Sequence, residues 1–192
     1  MAHIALFHSI LGVRPGELDA ARRFTEAGHE VRVVDQYDGE VFDDYEDATA
    51  YARTIGYHEL SARALAATID LPDNFIAVGF SNGAVMAEYI ALHRPVSGVV
   101  LVNTAVEVAE VGGQAWPAGV AVQVHHAMDD QWKEPQQLID FVDQVTAAGC
   151  DVEVYDYKAG GHLFTDPSKA DEYDEVGAEL FWQRALEFCA KL

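Results

Sequence analysis

Short apolar runs alternate along the chain with segments in which apolar residues recur every three or four positions. Apolar runs of roughly four to eight residues are typical of buried strands, and the longer spacing is typical of helices packed on a sheet. The predicted strands span residues 3–8, 30–35, 75–80, 96–103, 119–126 and 151–157. The predicted helices span residues 16–28, 82–93, 135–148 and about 171–190, and residues 44–69 form one or two further helices interrupted near Gly56.

This alternation predicts βαβ units with right-handed crossovers and a mostly parallel, doubly wound sheet, which is an α/β fold. Half of the 192 residues are hydrophobic, which is enough for a sizeable core. No linker, internal repeat or low-complexity tract divides the sequence. We therefore expect a single domain over residues 1–192.

The charge balance narrows the possible partners. The chain carries 32 acidic and 12 basic residues, a formal net charge of -20. Such a surface repels phosphate backbones and anionic lipid, so neither nucleic acid nor membrane is expected as a partner. The N-terminus reads as a first buried strand rather than a signal peptide, and two cysteines cannot form a disulfide framework. These features predict a cytoplasmic location.

The segment "IAVGFSNGAVMAEYI", residues 76–90, carries the most specific chemistry. Ser81 lies between Gly79 and Gly83, where a predicted strand gives way to a predicted helix. A side chain at such a tight turn is held out at the carboxyl edge of the sheet, and its neighbours must be small. This G-x-S-x-G pattern is the nucleophile elbow of α/β-hydrolases. The alternative is that Ser81 merely caps the helix.

A serine hydroxyl needs a general base to become a useful nucleophile. His162 is the preferred candidate because it follows a strand in a glycine-bearing loop, "YKAGGHLFTDP", that can bend back to the sheet edge. The other histidines after Ser81 are His93, at a helix end, and His125 and His126, on a strand.

The acid that orients the base is expected after the strand at 119–126, and both Asp129 and Asp130 satisfy that order. His125 and His126 do not suggest a metal site, because consecutive residues of a strand point to opposite faces. No metal and no cofactor are predicted.

The pocket is expected to be small and open. Only 15 residues separate the strands at 96–103 and 119–126, which leaves no room for a large lid. Four aromatic residues in loops at the carboxyl edge are expected to line the pocket: Tyr37, Trp116, Trp132 and Phe164.

With these residues in place, nearly all of residues 3–190 resembles the dienelactone hydrolase family. The resemblance rests on "FHSILGVRPG", "AGHEVRVVDQYDG", "GFSNGA", "WPAGVAVQVHHAMDDQW" and "GGHLFTDPS". It implies that Ser81 is the nucleophile and His162 the base. It also favours Asp130 as the acid, because the family spacing is counted from the residue that is Ala127 here.

The same resemblance implies that "HSILG" is the oxyanion loop, so that the backbone N–H groups of Ile10 and Asn82 form the oxyanion hole. The family's best-known enzymes carry cysteine where this chain has Ser81 and glutamate where it has Ser9, which places Ser9 beside the pocket. They also bind a substrate carboxylate with arginines. Arg14 and Arg53 are possible substitutes for those arginines here, but both are expected on the solvated surface, so a neutral ester or lactone suits the sequence better.

The sequence therefore predicts a serine hydrolase of a small ester or lactone, acting as a monomer or homodimer. A catalytically silent binding module of the same fold is the alternative, since fold alone does not establish activity.

Overall fold

Six strands form one sheet in the computed structural model, which describes all 192 residues. The strands are β1 (His3–Phe7), β2 (Glu30–Val34), β3 (Phe75–Phe80), β4 (Val96–Val102), β5 (Ala121–Ala127) and β6 (Val152–Tyr157). Their spatial order is β2-β1-β3-β4-β5-β6, and every neighbouring pair is parallel. The predicted parallel sheet is confirmed, and all its strands end at the same carboxyl edge.

Helices cover both faces of this sheet. They are α1 (Pro15–Glu26), α2 (Tyr45–Ile55), α3 (Tyr57–Thr68), α4 (Asn82–His93), α5 (Pro135–Ala147) and α6 (Glu175–Lys191). Apolar residues of α1 and α6 pack in one core cluster, and those of α3, α4 and α5 pack in another. Successive side chains of a strand point to opposite faces of the sheet, so β1 contributes to both cores. Ile4 and Leu6 belong to one cluster, and Ala5 and Phe7 belong to the other.

One predicted helical segment divides where expected, and the start of another differs from the expectation. Residues 44–69 form two helices, and Gly56 separates them at a φ of 84°, a conformation that glycine adopts without strain. The last helix begins at Glu175 rather than near residue 171, because the Asp174 carboxylate accepts the Gly177 N–H at 2.7 Å and caps it there.

The segment between β4 and β5 contains no helix or strand, and no lid covers the carboxyl edge. None of the helices combines the length and the apolar composition that a bilayer span requires.

Candidate active site

The turn from β3 into α4 has the backbone of a nucleophile elbow. Ser81 has a φ of 54° and a ψ of -119°, values that a non-glycine residue seldom adopts. Its N–H donates to the Val102 carbonyl at 2.8 Å, which ties the elbow to β4. A Cβ at Gly79 would lie 2.0 Å from the Gly83 carbonyl oxygen, and one at Gly83 would lie 2.2 Å from the Phe7 carbonyl oxygen. Both glycines are therefore needed for the close approach of α4 to β1 and β3.

Three side chains that are distant in sequence meet at this turn. His162 Nε2 lies 2.6 Å from Ser81 Oγ, and His162 Nδ1 lies 2.6 Å from Asp130 Oδ2. Because an ionised carboxylate can only accept, the proton of the neutral imidazole lies on Nδ1, and Nε2 accepts from the Ser81 hydroxyl. All three side chains are largely buried.

The carboxylate of this group is Asp130 rather than Asp129. Asp129 is exposed, whereas Asp130 is buried and its Oδ1 accepts the Trp132 N–H at 2.9 Å. Burial alone would raise the pKa of Asp130, but the hydrogen bond from His162 and attraction to that ring when it is protonated outweigh burial and lower the pKa. Asp130 is therefore ionised when it accepts from the imidazole.

Asn103 fixes the loop that carries His162, and sequence reasoning did not identify it. Its side-chain amide donates to the His162 carbonyl, and its Oδ1 accepts the Ala127 N–H at 3.0 Å. The signal available in the sequence was a polar residue directly after the apolar run of β4. Such a residue lies at the carboxyl edge, where the catalytic side chains of this fold gather.

Two backbone N–H groups beside Ser81 are free of protein acceptors. Neither Ile10 nor Asn82 donates a hydrogen bond from its main chain, and both residues line the cavity with Ser81. The amides flanking Ile10 are engaged, since the Ser9 N–H donates to Glu17 Oε1 at 3.1 Å and the Leu11 N–H to Ser9 Oγ at 3.3 Å. The Asn82 N–H also lies at the N-terminus of α4, where the helix dipole favours negative charge.

The Ser81 hydroxyl opens into a cavity of about 620 Å³. One wall is α2, which contributes Tyr45, Glu46, Thr49, Ala50 and Arg53. The rest of the lining is Ile10, Ser81, Asn82, Thr104, Trp132 and His162. Sequence reasoning placed α2 correctly along the chain but gave it no part in the pocket.

Of the five predicted pocket residues, the structure places Trp132 at the cavity and the other four elsewhere. The Trp132 ring meets the His162 ring edge to face at 4.7 Å. Tyr37, Trp116 and Phe164 are buried in the core, and Ser9 is buried within the loop that carries Ile10, where its hydroxyl accepts the Leu11 N–H. Large aromatic rings gain more by burial among other rings than by lining an open cavity, so these loops turn them inward.

The two arginines considered for anion binding have different environments. Arg53 is exposed at the cavity wall and makes no salt bridge, and Glu46, two turns earlier on α2, lines the same cavity. The expectation of a solvated surface was wrong for Arg14, which is only 6% exposed. Its guanidinium is held by carboxylates and carbonyls of other loops.

The consecutive histidines of β5 lie apart from any metal-like cluster. His125 is fully buried, with Nδ1 2.7 Å from the Tyr157 hydroxyl and Nε2 2.8 Å from Gln123 Oε1. Burial lowers the pKa of His126 to about 4, so that ring is neutral at physiological pH. No three His, Cys, Asp or Glu side chains come close enough to hold a metal ion.

Comparison with known families decides the classification. The model of the dienelactone hydrolase family matches residues 2–192. This chain belongs to the dienelactone hydrolase family. Membership supports a hydrolase function, and it accounts for the elbow and the loop geometry described above.

Solved structures of low sequence identity share the fold. A protein designated m3DLH is 20% identical with a TM-score of 0.83, over 99% of this chain and 86% of that chain. A dienelactone hydrolase-like promiscuous phosphotriesterase from metagenomic libraries is 21% identical with a TM-score of 0.80, over 100% and 87% of the two chains. The propionate-bound esterase Est2 of the planctomycete Thermogutta terrifontis is 16% identical with a TM-score of 0.65, over 99% and 83%. No curated protein sequence matches this chain.

Proposed function

We propose that this member of the dienelactone hydrolase family is a serine hydrolase that cleaves a small ester or lactone through an acyl-enzyme. The observation that carries the proposal is the continuous contact from Ser81 Oγ through the His162 ring to Asp130, at 2.6 Å on each side, beside an open cavity. That arrangement is the one a serine nucleophile needs.

The mechanism follows from where the protons lie. Ser81 Oγ attacks the carbonyl carbon while His162 Nε2 takes the hydroxyl proton, and Asp130 stabilises the resulting imidazolium. The oxyanion is stabilised by the N–H groups of Ile10 and Asn82, each worth about 3 kcal/mol in acyl transfer. His162 returns the proton to the leaving oxygen, which completes the acyl-enzyme. A water then attacks the acyl carbon with His162 as base, and the imidazolium returns this proton to Ser81 Oγ as the acid leaves, which regenerates the Ser81 hydroxyl.

The cavity supports a short, neutral acyl group. No lid encloses the edge of the sheet, and α2 alone supplies the outer wall. Arg53 and Glu46 bring one charge of each sign to that wall, which leaves no concentration of positive charge for an anionic substrate. We expect p-nitrophenyl acetate and butyrate to be better substrates than the decanoate, whose chain would extend into water.

A fluorophosphonate probe read by intact mass tests the proposal. The unsubstituted chain should gain one adduct, and Ser81→Ala should gain none. Ser97→Ala is the matched control, because Ser97 is a partly buried serine near the start of β4, at the opposite edge of the sheet, and its loss should leave labelling intact. Absence of an adduct on the unsubstituted chain would instead favour a catalytically silent binding module.

A further inference from the structure

Arg14 is the only buried arginine of the chain. It lies between the loop that carries Ile10 and the first turn of α1. Burying a guanidinium is costly unless its hydrogen-bond donors are satisfied, so its partners indicate its role.

All five N–H donors of the Arg14 side chain have acceptors. Nε donates to Asp166 Oδ2 at 3.4 Å, and Nη1 donates to the Phe42 carbonyl at 2.8 Å and to Asp43 Oδ1 at 2.6 Å. Nη2 donates to the carbonyl and the hydroxyl of Ser168, each at 3.4 Å. A guanidinium has five such donors, so none is left for a substrate group. Arg14 also does not line the cavity.

These partners belong to the chain segments that build the site. Asp166 and Ser168 follow His162 in its loop, and Phe42 and Asp43 lead into α2, which forms the cavity wall. Arg14 itself follows the oxyanion loop. One side chain therefore joins the base, the wall and the candidate oxyanion hole.

A second set of contacts fixes the same junction. Glu17 accepts the Ser9 N–H at 3.1 Å and the Arg14 N–H at 3.0 Å, which sets the path of the chain on either side of Ile10. A Cβ at Gly16 would lie 2.3 Å from the Asp166 carboxylate, so this acid packs directly on the first turn of α1. Loss of Arg14 would therefore leave the Asp166 carboxylate against Gly16 without its cation, and the two loops would shift relative to each other.

We propose that Arg14 is a positioning residue, whose guanidinium sets the distance between the oxyanion hole and His162. The proposal rests on the serine hydrolase function proposed above. Its consequence is selective, because the α2 wall keeps the Tyr45–Glu172 hydrogen bond and the His162 loop keeps its Asn103 contact without Arg14, while the hole moves relative to the attacked carbonyl. A displacement of this kind lowers kcat and transition-state affinity rather than substrate affinity.

The test compares Arg14→Met with Arg32→Met. Arg32 also bridges a carbonyl and a carboxylate, those of Ala67 and Asp70, but does so outside the cavity. With p-nitrophenyl acetate, Arg14→Met should lower kcat at least about 10-fold and leave KM within about threefold. Inhibition by a trifluoromethyl ketone, whose adduct on Ser81 is an oxyanion, should weaken at least about 10-fold. Arg32→Met should change none of these values.

Asp166→Asn is the second variant, because Arg14→Met leaves the Asp166 carboxylate buried without its charged partner. It removes the ion pair without leaving a buried charge at position 166, and it should give the same pattern at smaller amplitude. Folding of each variant is checked by circular dichroism.

Several outcomes would overturn the proposal. It is wrong if a folded Arg14→Met or Asp166→Asn keeps kcat and inhibitor affinity, or if activity is lost through KM alone. It is also wrong if neither variant folds, since Arg14 would then support the whole chain rather than the site. Failure of the hydrolase function would appear separately, as no Ser81-dependent labelling of the unsubstituted chain, and would overturn both proposals.

Discussion

The Glu17→Gln variant should become increasingly stable relative to the unsubstituted chain as the pH rises. Glu17 is buried in the first turn of α1, and each of its carboxylate oxygens accepts one backbone N–H. Burial raises the pKa of Glu17 from 4.5 to about 7, against the backbone hydrogen bonds that lower it, and the nearby Asp166 charge adds to the rise. The folded chain therefore holds a proton that the unfolded chain has released.

The sign and the size follow from proton linkage. Between pH 4.5 and 7 the folded state binds up to one proton more than the unfolded state, so the free energy of unfolding falls as pH rises. The full change is about 3 kcal/mol, complete above pH 7 and absent below pH 4.5. The isoelectric point is near 4.5, and proteins tend to precipitate close to zero net charge, so measurement should start at about pH 5.5. From there to pH 8 the free energy of unfolding should still change by about 2 kcal/mol.

Urea unfolding at several pH values measures this difference. Glutamine at position 17 resembles the protonated acid and does not titrate, so Glu17→Gln should gain about 2 kcal/mol over the unsubstituted chain between pH 5.5 and 8. Glu26→Gln, at the exposed end of the same helix, removes the same charge and serves as the control. It should change by less than about 0.5 kcal/mol over this range. Parallel curves for the unsubstituted chain and Glu17→Gln would refute the argument from burial.

Two further substitutions test the packing of the site. Gly83→Ala should lower the free energy of unfolding, measured by chemical denaturation, by at least about 2 kcal/mol and should also reduce kcat, because its Cβ would meet the Phe7 carbonyl. Gly160→Ala is the control: a Cβ there meets nothing within 4 Å, so neither the free energy of unfolding nor kcat should fall. Tyr37→Phe should keep kcat and leave stability equal or higher by up to about 1 kcal/mol in the same assay, because the Tyr37 hydroxyl is buried without a hydrogen-bond partner. A fall in kcat in Tyr37→Phe would mean that this residue contacts the substrate after all.

The architecture could be predicted because its signals are local. Strand and helix spacings repeat within a few residues, and the elbow is written in five consecutive positions around Ser81. The order of strands then carries Asp130 and His162 to the same edge, since parallel strands end together. Choosing Asp130 over Asp129 needed the family resemblance, because both follow β5 and only the turn geometry buries one of them.

The pocket could not be read in the same way, because its lining depends on contacts between distant loops. Tyr37, Trp116 and Phe164 lie in loops at the expected edge, but the sequence does not say whether a loop turns its ring toward the cavity or the core. Arg14 is a similar case. Its partners lie 28 to 154 residues away, so nothing near it in the sequence distinguishes it from a solvated arginine.

The position of α2 sets the size of the cavity, and it depends in turn on the contacts of Arg14 with distant loops. With no insertion after β4, the helix that follows β2 is what limits the space in front of Ser81. The Phe42 carbonyl, three residues before that helix, accepts from the Arg14 guanidinium. A change in the path of residues 42–44 would therefore alter the cavity wall without touching the elbow. Under the proposed function, the length of acyl chain accepted would therefore depend on the loop after β2, whereas the position of Ser81 depends on β3 and β4.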